Sequence, residues 1–205
     1  MVTVSKKQII KLAMAFFLGA FWLFAIRFVT INKEEVHYHA NFAVYVEGNR
    51  LPFDSFTYYE EIQTCFGGAE ARPQSRVHMH DNVNHIVHVH DEAVTWGHFF
   101  ANLGMNLGDK IFNYDKVIYI DDEDTNIEFY LNGREVETLA NRVIGNEDVA
   151  LVSIGNPSEN ELQEQFESIE KNAAEYNQRQ DPSSCSGGKP FTTWERFKAA
   201  LGFID

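Results

Sequence analysis

The sequence of 205 residues has little cysteine and fewer basic than acidic residues, and each of these features excludes some classes of protein. Its two cysteines are too few for a disulfide framework, and no Cys-x-x-Cys pair is present for a zinc ribbon or a thioredoxin-like site. With 30 acidic and 17 basic residues, the net charge is −13 at pH 7, so no basic stripe exists to bind nucleic acid. Sequence motifs for phosphate-binding loops, dinucleotide binding and serine nucleophiles are also missing.

An apolar run near the N-terminus, residues 8–31, contains only two charged side chains, Lys11 and Arg27. As a helix it would be about 36 Å long, which exceeds a hydrocarbon core of about 30 Å. The run is therefore predicted to be a transmembrane helix. Because Lys6 and Lys7 also lie on its N-terminal side, the positive-inside rule places the N-terminus in the cytoplasm and the bulk of the chain outside the cell membrane.

A cleaved signal peptide is the alternative interpretation of the same run. The basic start suits one, but Leu18-Gly19-Ala20 is a poor cleavage site because it lies inside the apolar run. A retained signal-anchor is therefore preferred. Residues 1–31 contain four bases and no acids, so the remainder is more acidic still and should repel anionic lipid headgroups.

Residues 36–155 alternate in the manner of short β-strands separated by turn signals. Gly48-Asn49 predicts one hairpin turn, and Asn132-Gly133 predicts a type I′ turn in another. A short helix is predicted over residues 96–103, with Thr95 as its N-cap. The expected fold class is α+β, with a mainly antiparallel, β-grasp-like extracytoplasmic domain that contains one short helix.

The composition changes after residue 155. Asn156-Pro157 predicts the start of an acidic helix over residues 156–180, with Asn156 as its cap and Pro157 at its first position. Residues 181–190 have the composition of a linker, and residues 191–205 contain a short amphipathic helix. Docking of this tail on the domain is preferred, with the membrane surface as an alternative, and either the acidic helix or the tail is a candidate site for a protein partner.

Histidine is concentrated in one part of the chain, since all eight histidines lie between residues 37 and 98. Six of them form three His-x-His pairs: His37/His39, His78/His80 and His88/His90. Residues i and i+2 of a strand point to the same face, so each pair presents two imidazoles side by side. A register with His78 opposite His88 would gather four imidazoles on one face of a hairpin, and the first strand would add two more if it lay beside that hairpin.

Neutral imidazoles on neighbouring strands are good ligands for zinc, copper and iron ions. The pattern therefore predicts a transition-metal site, with copper or zinc preferred. Its candidate ligands, in order of preference, are His78, His80, His88 and His90, then His37 and His39, and last His85, His98, Asp81, Asp91 and Cys65. The two acids could instead accept the second ring N–H of a ligating histidine.

Other interpretations of these residues stay open at this point. Several imidazoles in contact could form a pH sensor, or they could have no special role. Cys65 could form a disulfide with Cys185, bind a metal ion or be a free thiol.

The run HMHD…HVHD, followed by TWGHFFANLG and a YLNG hairpin, resembles a group of membrane-anchored bacterial proteins with paired His-x-His motifs. The resemblance covers roughly residues 36–154 and implies an extracytoplasmic domain, without implying an activity. The expected function is that of a membrane-anchored protein that binds, senses or delivers copper or zinc. The alternatives are a metalloenzyme with a histidine-ligated ion and an accessory subunit of a membrane complex.

Overall fold

The computed structural model of the chain describes residues 5–31, 36–59, 73–179 and 191–203. The chain divides into two compact units, one formed by residues 1–34 together with 188–205, and the other by residues 35–187. The N-terminal helix and the C-terminal tail are thus grouped together. Both cysteines, Cys65 and Cys185, and the predicted linker at 181–190 lie outside the described residues, so the predictions made for them are not tested.

The first unit contains helix α1 (Lys6–Thr30) and a short helix in the tail. Helix α1 begins with a capping box in which the Ser5 hydroxyl accepts a hydrogen bond from the Gln8 backbone N–H, and the Gln8 side chain accepts one from the Ser5 N–H. Helix α1 is long and apolar enough to cross a membrane, as predicted. A signal sequence can have the same length and apolar composition.

The second unit is a mixed α+β body rich in sheet. Its strands in chain order are β1 (Tyr38–Val46), β2 (Asn49–Arg50), β3 (Val77–His78), β4 (Ile86–Val89), β5 (Asn106–Leu107), β6 (Ile111–Tyr114), β7 (Val117–Ile120), β8 (Asn126–Leu131), β9 (Arg134–Glu135) and β10 (Val149–Gly155). Its helices are α2 (Pro73–Arg76), α3 (Trp96–Asn102), α4 (Glu159–Glu167) and α5 (Ala173–Asn177), with a 3-10 turn at Phe56–Tyr58. The tail helix of the first unit is α6 (Thr193–Ala200).

The larger sheet has seven strands in the order β3-β4-β1-β10-β8-β9, with β2 paired to β1. Strands β1 and β10 run parallel at its centre, while the other pairs are antiparallel. Strands β5, β6 and β7 form a separate three-stranded antiparallel sheet. The α+β class is therefore confirmed, whereas this strand order does not establish a β-grasp fold.

Two local predictions need correction. The hairpin turn after β1 lies at Glu47-Gly48, where both residues have positive φ, rather than at Gly48-Asn49. The predicted acidic helix is two helices, α4 and α5, and its N-cap is Ser158 rather than Asn156. The reason is a capping box between Ser158 and Glu161, which satisfies the first N–H groups of α4 more completely.

Both faces of β1 are buried, and this arrangement sets the position of the histidines. Ala40, Phe42 and Val44 face an aromatic core that includes Phe99 and Phe100 of α3. The opposite face carries His39, Asn41 and Ala43. The segment that contains α4 and α5 covers this second face, since Ile169 packs on Ala43, and the Ala173 N–H donates to the Asn41 side chain.

Gly97 in α3 touches a neighbouring backbone so closely that it allows no side chain. Its N–H donates to the Ala140 carbonyl, and a Cβ atom on Gly97 would lie 2.7 Å from that oxygen. Helix propensity alone favours Gly97→Ala by about 1 kcal/mol, but overpacking costs about 1–3 kcal/mol. We expect a net loss in the free energy of unfolding, measured by chemical denaturation. Ala101→Gly, at an exposed position of the same helix, should show the propensity effect alone, and a more stable Gly97→Ala variant would contradict the packing argument.

Candidate metal centre

Three histidines stand in one row across three adjacent strands. His88 of β4 lies opposite His39 of β1 on one side and opposite His78 of β3 on the other. The pairing of His78 with His88 is the register that the sequence left open as the condition for gathering the hairpin imidazoles, and β1 lies beside the hairpin. Because side chains alternate along a strand, the members of this row share the sheet face that carries Asn41 and Ala43.

The remaining paired histidines extend the row into a continuous cluster of six rings, which we call the histidine cluster (His37, His39, His78, His80, His88 and His90). The His37 ring centroid lies 4.8 Å from those of both His39 and His90. The His88 ring lies 3.6 Å from that of His80 and 6.0 Å from that of His78. Four of the six residues are at most 3% exposed, and His37 is half-buried. The cluster thus extends from the protein interior toward solvent.

His37, His39 and His88 form a compact group, which we call the histidine triad. Each contributes a ring nitrogen that lies within 4.8 Å of the other two. Within it, His39 Nε2 and His88 Nδ1 are 2.8 Å apart, which is a hydrogen bond that a bound ion would replace with release of its proton. Three imidazole nitrogens at this separation could hold a metal ion, for which bonds of about 2.0–2.1 Å are typical. The sequence ranked His37 and His39 behind the hairpin histidines, but the triad includes both.

The ring orientation of His39 is fixed by Asn177 at the end of α5. Asn177 Oδ1 accepts hydrogen bonds from the His39 backbone N–H at 3.0 Å and from Nδ1 at 2.8 Å. The Asn177 amide nitrogen donates to Asn146 and Glu147, which fixes which end of the amide faces His39. An amide oxygen only accepts, so His39 Nδ1 carries the proton, and Nε2 holds the lone pair in the neutral ring.

The tautomers of His78 and His80 are fixed in the same way, by an acceptor oxygen beside Nδ1. His78 Nδ1 lies 2.8 Å from the Gln74 carbonyl oxygen, and His80 Nδ1 lies 2.9 Å from Asp81 Oδ2. Both oxygens are acceptors, so in each neutral ring Nδ1 is the donor and Nε2 holds the lone pair. Metal-binding histidines usually have such a partner on the second nitrogen, because it orients the ring and raises its basicity. Asp81 occupies the position of such a partner.

The other predicted ligands have different surroundings. His98 Nδ1 accepts the Thr95 N–H at 3.1 Å and completes the cap of α3. Asp91 forms a 2.6 Å ion pair with Arg76. His85 Nε2 lies 3.3 Å from the Asn172 amide nitrogen, and burial lowers the pKa of His85, an effect that nearby Glu170 opposes. The structure therefore does not bring these three side chains into the histidine cluster.

The contribution of α5 to the site is not recognisable in the sequence. Besides Asn177, the Tyr176 ring lies 5.9 Å from the ring of His39 and 6.5 Å from that of His88. Asn177 is 138 residues from His39 along the chain, and no local pattern links them. The α5 segment nevertheless contacts the site as directly as the strands do.

Asn177→Ala should weaken metal binding without removing a ligand. Loss of an outer hydrogen-bond partner typically costs about 10–100-fold in affinity, because the ligand ring loses its fixed orientation. The measurement is a competition titration of the metal ion against a chelator of known affinity. Asn156→Ala is the matched control, since that amide donates to the Asp124 carbonyl instead. Equal affinities for the two variants would contradict the role given to Asn177.

No family model matches the chain, and neither a curated protein nor a solved structure matches it. The chemistry of the histidine cluster is therefore the basis for a functional assignment.

Proposed function

We propose that the chain is a membrane-anchored protein that binds a transition-metal ion, copper or zinc, through its histidine cluster outside the cytoplasm, and that it senses or delivers that ion. The observation that carries the proposal is the histidine triad together with its fixed tautomer at His39. A metal site needs deprotonated nitrogen donors that are already oriented, and the Asn177 contact supplies that orientation.

The donor atoms favour a particular class of ion. The histidine triad offers only imidazole nitrogen, which suits copper, zinc, nickel and cobalt. Calcium and magnesium take oxygen ligands, so the same set discriminates against them. Affinity within the first-row divalent series rises toward copper, and we therefore expect Cu²⁺ to bind more tightly than Zn²⁺.

The proposed location follows from the first unit. Helix α1 has the length and composition of a membrane span, and it has no acidic residue. Lys6, Lys7 and Lys11 lie toward its N-terminal end, which supports a cytoplasmic N-terminus and an extracytoplasmic body. In that arrangement the histidine cluster would meet metal ions outside the reducing and chelating interior of the cell.

The test is elemental analysis of the full-length chain purified in detergent, before and after incubation with Cu²⁺ or Zn²⁺ and removal of excess ion. We expect at least one ion per chain, and competition titrations then rank the two metals. His98→Gln should bind as the wild type does, because it removes a histidine outside the cluster and keeps a side chain suited to the capping position. Absence of bound metal at pH 7.5 in the folded wild type would overturn the proposal.

A metalloenzyme is a second candidate, and one observation favours it. The histidine triad supplies three ligands, which is the number that catalytic zinc sites use while keeping one position for water. Azide added to the Cu²⁺-loaded protein should change its visible spectrum if such an exchangeable position exists. An unchanged spectrum would favour a closed site that carries or senses the ion.

A further inference from the structure

The tail helix α6 contacts α1 near the end of α1. The ring centroids of Phe24 and Phe197 lie 5.4 Å apart at a steep angle. Three residues further along α1, the Arg27 guanidinium donates to the Ala199 carbonyl at 3.3 Å. Phe24 and Phe28 are half-buried, whereas the first 18 residues of α1, from 6 to 23, are exposed. The tail therefore packs against the last two turns of the apolar helix.

This contact leaves a set of large apolar side chains of the tail exposed. Trp194 is 64% exposed and Phe203 is 73% exposed, and Leu201 is exposed as well. Trp194 stacks on Phe197 with ring centroids 5.5 Å apart, so the aromatic side chains form one surface. Water is a poor solvent for such a surface, and on a soluble protein it would be a site of association.

The position of α6 along α1 indicates what covers that surface. Arg27 is a charged residue near the end of a helix that is otherwise apolar from residue 12 onward, so it marks the level of the membrane–water interface. Leu23 and Val29, in the same part of α1, are large apolar residues that are exposed as well. Tryptophan is enriched at this level because its ring is apolar and its N–H is polar.

We infer that α6 lies in the membrane interface and inserts Trp194, Leu201 and Phe203 among the phospholipid headgroups and upper acyl chains. The inference depends on the proposed membrane span of α1 and goes beyond the metal site. In this arrangement the chain contacts the bilayer at two places, and the tail fixes the level at which α1 ends.

The test uses the full-length chain in phosphatidylcholine vesicles that contain lipids brominated at a shallow or a deep acyl position. The chain has three tryptophans, and Trp96 is fully buried in the core, so bromine should not quench it. Trp22→Phe leaves Trp194 as the reporter, and Trp194→Phe leaves Trp22. Interfacial helices are buried only about 5–10 Å, so Trp194 emission should shift to shorter wavelength and lose more intensity to shallow than to deep bromine.

Trp22 serves as the control for the membrane span itself. It lies five residues before Arg27, about 7.5 Å further along the helix, so deep bromine should quench it more than it quenches Trp194. If Trp22 is quenched and Trp194 is not, the inference about α6 is wrong while the span is retained. If neither is quenched, the span itself fails. Stronger quenching of Trp194 by deep than by shallow bromine would also overturn an interfacial position.

Discussion

His88→Ala is expected to remove specific metal binding almost completely. His88 belongs to the histidine triad, and its ring also lies within 6.3 Å of those of His78, His80 and His90. A single substitution therefore removes one ligand of the histidine triad and changes the surroundings of three further rings. The loss of affinity should exceed the roughly 10–100-fold that removal of an outer partner causes. Competition titration against a chelator measures it directly.

The control must separate a missing ligand from a damaged sheet, because His88 is 1% exposed. Truncation of a buried side chain leaves a cavity and lowers stability, so His88→Ala should be compared with the wild type by circular dichroism without metal. His37→Ala is the second variant, since His37 is half-buried and precedes β1. Wild-type affinity in both folded variants would exclude the histidine triad as the metal site.

Saturation with metal is expected to raise the melting temperature of the full-length chain. A ligand at 100 times its dissociation constant stabilises the folded state by about 2.7 kcal/mol when it does not bind the unfolded chain. For a protein of this size, each 1 kcal/mol raises the melting temperature by about 2–4 °C, so the expected increase is about 5–11 °C. Thermal denaturation with and without Cu²⁺ or Zn²⁺ tests this.

The increase in melting temperature on metal binding should depend on pH, since protons compete with the metal ion for imidazole nitrogen. It should shrink as the pH falls, because a protonated imidazole cannot bind a metal ion. His88→Ala should show little increase at any pH. An equal increase in that variant would mean that the ion binds elsewhere on this acidic chain.

Much of the local structure could be predicted because it depends on neighbouring residues. The N-cap at Thr95, the buried Phe99 and Phe100, and the turn at Asn132-Gly133 follow from capping, helical spacing and left-handed backbone preferences. The sequence also showed that pairing His78 with His88 would gather the imidazoles, but it did not select that register over a one-residue slip.

The order of the strands and the position of α5 depend on contacts between segments that are distant in the sequence. Val44 pairs in parallel with Val152, and no local pattern specifies which of several β-rich segments occupies the centre of a sheet. The two-residue strands β5 and β9 are too short to show alternation. The predicted acidic helix is interrupted because Ile169 turns inward to pack on the sheet, and this interruption lets α5 return to His39.

The parallel pairing of β1 with β10 means that the histidine cluster can form only late in biosynthesis. The hydrogen bonds that orient His39 join it to Asn177, so the site requires nearly the whole of residues 36–177 to be in place. Such non-local topologies form slowly and late, after most of the chain has emerged. An ion bound there would be acquired only after the whole body has folded, and the metal supply at that stage would then determine how much of the protein matures.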